Sequence, residues 1–193
     1  MNWPVDPAKY AAFLGAMAIL AATPGPSNLF AIANGMSRGR KAVLLGVAGM
    51  NTATLIWYVA AALGLGALAL AFPQAVRALI VLGALYLVWL AYKSVKSGFD
   101  KTTAAVGHAD IRPGRSAFLD GFTVQMTNPK ILLFFGAVLP PFLDFQRPLP
   151  LQFVMFAAAT VGLDVIATTS YGFGGAALAR RMSDPGFRKG FSV

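Results

Sequence analysis

Three groups of residues have types and spacings that could do chemistry. Asp164 lies in the middle of Leu149 to Ala179, a stretch with no other charged side chain. An ionised carboxylate at that depth in hydrocarbon costs on the order of 2.5 to 3.5 kcal/mol even on lenient insertion scales. Protonation removes that cost, so the residue suits carrying a proton, and pairing with a substrate ammonium group suits it equally. The structural alternative is a carboxylate tied to Lys130 or to hydroxyls such as Thr160 or Thr168.

The second group is Thr23-Pro24-Gly25-Pro26-Ser27-Asn28 and the third is Gln125-Met126-Thr127-Asn128-Pro129-Lys130. Prolines donate no backbone hydrogen bond, and Thr, Ser and Asn can cap the groups so freed. Each motif therefore predicts a broken helix whose second arm starts at Pro26 or Pro129. The first N–H groups of such an arm carry a partial positive charge that welcomes a carboxylate, and Lys130 adds a full charge. A packing kink, with Lys130 snorkelling to the interface, is the bland reading of either break. Two breaks at matching positions favour a ligand. Asp120, near one end of its helix, reads as solvated or interfacial.

The elements that must position these residues follow from composition. Of 193 residues, 57% are hydrophobic and only 12% charged, a membrane composition. The formal charge of +9 does not read as a nucleic-acid footprint, because Lys and Arg sit between apolar runs rather than on one solvated face. With no cysteine and a single histidine, His108, neither cysteine chemistry nor an imidazole cluster is available. No nucleophile–base pair is visible. The expectation is no enzyme, no catalytic residue, no metal site and no cofactor.

Five spanning helices are predicted, at 9–36, 42–70, 75–92, 116–142 and 150–179. Arg38, Arg40 and Lys41 fill the gap after helix 1; Lys93, Lys96, Lys101, Arg112 and Arg115 follow helix 3; and Arg180, Arg181, Arg188 and Lys189 lie in the tail. The opposite turns hold only Arg77 and Arg147, so the positive-inside rule puts the N-terminus outside and the loop after helix 3 in the cytoplasm. Met1 to Lys9, with Pro4 and Pro7 and no basic cluster, does not resemble a signal peptide.

An ungapped offset of 105 pairs Phe13 with Phe118, Leu14 with Leu119, and Pro24 with Pro129. The two copies leave opposite sides of the membrane, which is the inverted repeat of many secondary transporters. The fold class expected is an all-α membrane protein: five transmembrane helices of a six-helix 3+3 inverted-repeat architecture, with helices 1 and 4 broken at prolines. Residues 1–193 form a single membrane transporter domain, with 1–97 as the first repeat, 98–115 as a cytoplasmic loop and 116–193 as a second repeat. The counterpart of helix 3 would start near Met182, so that second repeat is expected to be incomplete.

Pro24-Gly25-Pro26 followed by Ser27 and Asn28, the glycine series from Gly35 to Gly49 around the basic Arg38 to Lys41 loop, and Asn128-Pro129-Lys130 followed by Phe134, Phe135 and Leu139-Pro140 resemble the LysE/RhtB family of amino-acid exporters. The resemblance runs from about Phe13 to Arg181. It implies a small multi-pass protein of the bacterial inner membrane that exports amino acids such as threonine, homoserine, leucine or lysine, driven by protons.

On this reading Thr23, Pro24, Gly25, Pro26, Asn28, Gln125, Asn128, Pro129 and Lys130 bind the substrate and Asp164 couples it to protons. Amino acid, protons and the lipid bilayer are the partners, nucleic acid is not, and the glycines permit a homo-oligomer as well as tight packing within one chain. Asn51, Thr52 and Thr54 read as glue between helices, and Trp57, Tyr58, Tyr86, Trp89, Tyr92 and Tyr171 include interface anchors. Two other classes stay open. One is a cation transporter of similar repeat build, which would want more carboxylates than Asp164. The other is a truncated, inactive or partner-dependent membrane protein.

Overall fold

The structure is a computed structural model that describes residues 3–71, Gln74, Val81 and 116–182. The predicted helix 3 at 75–92 (apart from Val81), the 98–115 loop, and the chain beyond Met182 lie outside the described residues, as do Tyr86, Trp89 and Tyr92. Among the described residues the secondary structure is entirely helical: α1 (Pro7–Ala22), α2 (Pro26–Ala71), α3 (Ala117–Met126), α4 (Pro129–Leu133), a π-helical turn (Phe134–Val138), a 3-10 turn (Pro140–Phe142) and α5 (Leu149–Met182). Fold class is as expected, an all-α membrane protein with its first and fourth helices broken at prolines. The stretches Pro26–Gly64 and Leu149–Arg181 are each long and apolar enough to cross a membrane, and Ala117–Met126 with Pro129–Phe142 reaches that standard as a broken pair.

Local chemistry explains where the helices start and stop. Asp6 caps α1, its carboxylate accepting the Ala8 and Lys9 amides at 2.9 and 3.1 Å. The Lys9 N–H holds that carboxyl below its ordinary pKa; desolvation opposes it, and the Ala8 N–H and the charges of Arg147 and Lys9 add to the lowering. At the other end the Thr23 amide and hydroxyl both donate to the Ile19 carbonyl, at 2.9 and 2.7 Å, closing α1 before Pro24. The next helix restarts at Pro26, its first bond running from Leu29 N to Gly25 O at 3.0 Å. Within α2, Gly39 has φ 77° and ψ −175°, a conformation open to glycine and costly for other residues. That single residue divides 26–38 from 40–71 in the middle of the basic gap predicted at 37–41.

The chain forms two compact units, and in the sequence both proline breaks coincide with a change from one unit to the other. The first unit holds Met1–Thr23, Thr54–Ala105 and Pro129–Leu163. Its core is aromatic. Phe13, fully buried, meets Phe156, Phe142 and Phe134 with ring centroids at 4.5, 5.3 and 6.3 Å. Tyr58 stands edge-on to Phe135 at 4.8 Å, and its hydroxyl shares a 2.7 Å hydrogen bond with Thr160. Trp57 stacks on Phe135 at 6.2 Å, so both aromatics of helix 2 contribute to the core of this unit.

The second unit holds Pro24–Ala53, Val106–Asn128 and Asp164–Val193. Phe30, Val43, Val47 and Met50 form its small apolar core, and glycine carries the rest of the packing. A Cβ added at Gly49 would overlap the Phe118 carbonyl, one at Gly121 would overlap the Gly46 carbonyl, and one at Gly35 would overlap the Gly172 carbonyl. Backbones in contact gain dispersion energy where lipid offers no hydrophobic drive for association.

Gly49→Ala is therefore expected to cost about 1 to 3 kcal/mol through forced separation of α2 from α3. A gain of up to about 1 kcal/mol in helix propensity offsets only part of it. Thermal unfolding in detergent reads the loss as a lower midpoint. Gly15→Ala, where a Cβ would meet nothing within 4 Å, should hold or raise it.

Candidate substrate site

In the first unit, Lys130 follows Pro129 at the start of α4 and is half-buried. Its ammonium donates to the carbonyl of Leu20 and, at 3.1 Å, to that of Thr23. These are the last carbonyls of α1, where a helix carries partial negative charge and lacks intrahelical donors. A lysine there caps the broken end. Lys130 thus makes the Thr23-Pro24 break tolerable by satisfying groups that hydrocarbon leaves bare.

The second unit holds two hydrogen-bonded polar groups, one at Ser27 and the other at its chain neighbour Asn28. Ser27, one residue into α2, donates to Gln125 Oε1 at 2.7 Å, and Asn128 Nδ2 donates to Ser27 Oγ at 2.9 Å and to Gln125 Oε1 at 3.4 Å. All three are buried, with at most 9% of the residue exposed. Thr168 Oγ1 lies 3.3 Å from both Asn28 Oδ1 and Asp164 Oδ1. Asn51 Nδ2 donates to Asp164 Oδ2 at 3.1 Å and to its own helix at Val47 O, 3.0 Å. Asn51 is 6% exposed, and its Oδ1 is buried with no hydrogen-bond partner. An acceptor left unfilled in such a place normally costs about 1 to 3 kcal/mol.

Of the residues singled out in the sequence, Gln125, Asn128, Asn28 and Asp164 are brought together in this unit, with Pro26 opening the helix that carries Asn28. Thr23 and Lys130 meet each other in the first unit, where Pro129 begins the helix that carries Lys130. Pro24 and Gly25 form the non-helical link between α1 and α2. Of the three alternative partners foreseen for Asp164, Thr168 is bonded to it, Thr160 is bonded to Tyr58, and the ammonium of Lys130 donates to the carbonyls of Leu20 and Thr23.

Sequence reasoning missed two features. Asn51 was expected to glue helices, and it does bond its own backbone, yet it also holds the membrane carboxylate from 113 positions away. Asp120 was expected to be solvated or interfacial; it is 4% exposed and paired with Arg38 at 2.8 Å. The close approach of Gly121 to Gly46 and Gly49 to Phe118 covers it. The available signal was Gly121 beside Asp120, a residue small enough to admit a neighbouring backbone without naming it.

What the fold and the cluster define is a multi-pass helical membrane protein with two broken helices and a polar interior organised around a carboxylate. The chain belongs to the LysE type translocator family, whose model matches residues 18–193. It is 29% identical over 141 residues to the threonine efflux protein of Salmonella typhi, covering 72% of this chain and 68% of that one. It is 27% identical over 175 residues to the homoserine/homoserine lactone efflux protein of Salmonella typhimurium, with 89% and 81% covered, and 27% identical over 161 residues to the leucine efflux protein of Klebsiella pneumoniae, with 82% and 74% covered. No solved structure gives a significant match.

Proposed function

We propose that this protein exports a small amino acid across the bacterial inner membrane in exchange for protons. The observation that carries the reading is the carboxylate at mid-span, Asp164, held by Asn51 Nδ2 and Thr168 Oγ1 beside the unfilled Asn51 Oδ1. A substrate ammonium has three donors and no acceptor, so it matches a set of Asp and Asn oxygens. When the ammonium leaves, a proton can take its place on Asp164 and relieve the desolvation of the charge. Occupancy by one or the other is the elementary requirement of exchange.

The substrate carboxylate is assigned to the start of α2 at Pro26, where the helix dipole is positive, with Asn28, Gln125 and Asn128 as positioning groups. Thr23, Pro24, Gly25, Pro129 and Lys130 are proposed as further substrate contacts. The efflux names of the relatives support amino-acid export as the class of work. The charge distribution of the loops supports an N-terminus outside, a cytoplasmic 98–115 loop, and two inverted repeats at 1–97 and 116–193.

The test uses the full chain in liposomes loaded with threonine, homoserine or leucine. Acidifying the outside is expected to accelerate efflux of at least one of them, and a protonophore should abolish the acceleration. Efflux equal to that of protein-free liposomes for all three would remove the proposal.

A further inference from the structure

Away from the polar cluster, the second unit carries a cleft of about 310 Å³ whose floor is Gly35, Gly39, Ala176 and Ala179 and whose cationic walls are Arg40 and Arg180. Small residues on the floor leave room for a group of some bulk between the two guanidiniums. Both arginines are exposed, and among the described residues neither has a carboxylate partner. That sets them apart from Arg38, two positions away, which is paired with Asp120, and from Arg147, which is paired with Asp144.

Geometry constrains what such a pair can take. The Arg40 guanidinium carbon lies 5.3 Å from the centre of the Phe173 ring, a cation–π contact that holds the group beside the cleft while an aromatic face leaves its N–H donors unsatisfied. Gly39, with its positive φ, turns the chain so that Arg40 begins the second arm of α2 directly beside the cleft. Arg180 lies in the last turn of α5, at the end of the apolar stretch Leu149–Arg181. The end of a spanning helix marks the depth at which hydrocarbon gives way to headgroups. Two guanidiniums with no carboxylate partner among the described residues, at headgroup depth, match a phosphate with an uncompensated negative charge, which each can bind in a forked, two-bond geometry. A zwitterionic headgroup fits poorly, because its own ammonium would face the same two cations.

We infer that this cleft is a binding site for the phosphate of an anionic phospholipid. The inference goes beyond the transport reading and does not depend on it, since its readout is lipid retention rather than efflux.

The experiment uses the purified full chain with phosphatidylglycerol, phosphatidylcholine or inorganic phosphate as probes. Native mass spectrometry should show phosphatidylglycerol retained roughly tenfold to thirtyfold better than phosphatidylcholine, as two arginines near a membrane surface would give. Arg40→Gln with Arg180→Gln should erase that preference, whereas Arg40→Lys with Arg180→Lys should keep most of it. A readout in the unmodified protein covers the case of a variant that fails to fold. Amide exchange in 35–40 and 176–180 should slow in phosphatidylglycerol and stay unchanged in phosphatidylcholine. Equal protection by both lipids, undiminished preference in the folded glutamine variant, or protection by inorganic phosphate matching that by phosphatidylglycerol would overturn the assignment.

Discussion

Asp164→Asn should lower proton-driven efflux by about a hundredfold or more while leaving insertion into the membrane intact. Removing one member of a buried, hydrogen-bonded charge pair costs about 2 to 5 kcal/mol, which spans thirtyfold to several thousandfold in binding. The amide keeps the size of the carboxylate and can still accept from Asn51 Nδ2, which donates to Asp164 at 3.1 Å. It neither holds a proton nor attracts an ammonium. Insertion should not suffer, because a neutral amide is easier to place at mid-bilayer than a carboxylate. The residual activity should also lose its dependence on external pH, which a merely structural residue would not alter. Asn51→Ala, removing both the donor to Asp164 and the unfilled Oδ1, is expected to weaken substrate affinity about tenfold with the pH profile retained. Unchanged, pH-responsive efflux in the Asp164 variant would take away its assigned role.

The largest loss of stability is expected from Asp120→Ala. Asp120 has 3% of its side chain exposed and Arg38 has 22%, and their 2.8 Å contact lies where α3 is pressed against α2 by Gly46, Gly49 and Gly121. Removing the carboxylate strands a partly buried guanidinium beside desolvated backbone, and such breaks cost about 3 to 5 kcal/mol. Unfolding followed in detergent should show a correspondingly lower midpoint. Replacing both partners by apolar residues of similar volume, Arg38→Met with Asp120→Leu, should restore most of it, because the cost lies in the uncompensated charge rather than in the loss of attraction. A double variant as unstable as Asp120→Ala would point instead to a specific need for one of the two side chains.

Much of the architecture could be read from residue order. Pro24, Pro26 and Pro129 lack the N–H that a continuous helix requires, so the breaks after Ala22 and Met126 follow from the chain itself. Arg38, Arg40 and Lys41 between two apolar runs foretold the gap at 37–41, inside which Gly39 splits 26–38 from 40–71. Asp164 was conspicuous because charge at that depth is expensive wherever its neighbours are.

Its neighbours were another matter. The bonds from Asn51, Thr168 and Ser27, the capping of Leu20 and Thr23 by Lys130, and the burial of Asp120 join residues far apart in the chain, apart from Thr168 with Asp164 one turn away. Hydropathy and backbone propensity act over a few residues and specify where helices begin, end and break. Which faces then meet is set by the fit of surfaces, here by glycines that let Gly49 reach Phe118 and Gly121 reach Gly46. Residue order alone determined a charged helical interior and two discontinuities; only the packing decided which side chains satisfy them, because a hydrogen bond needs its partner within about 3 Å.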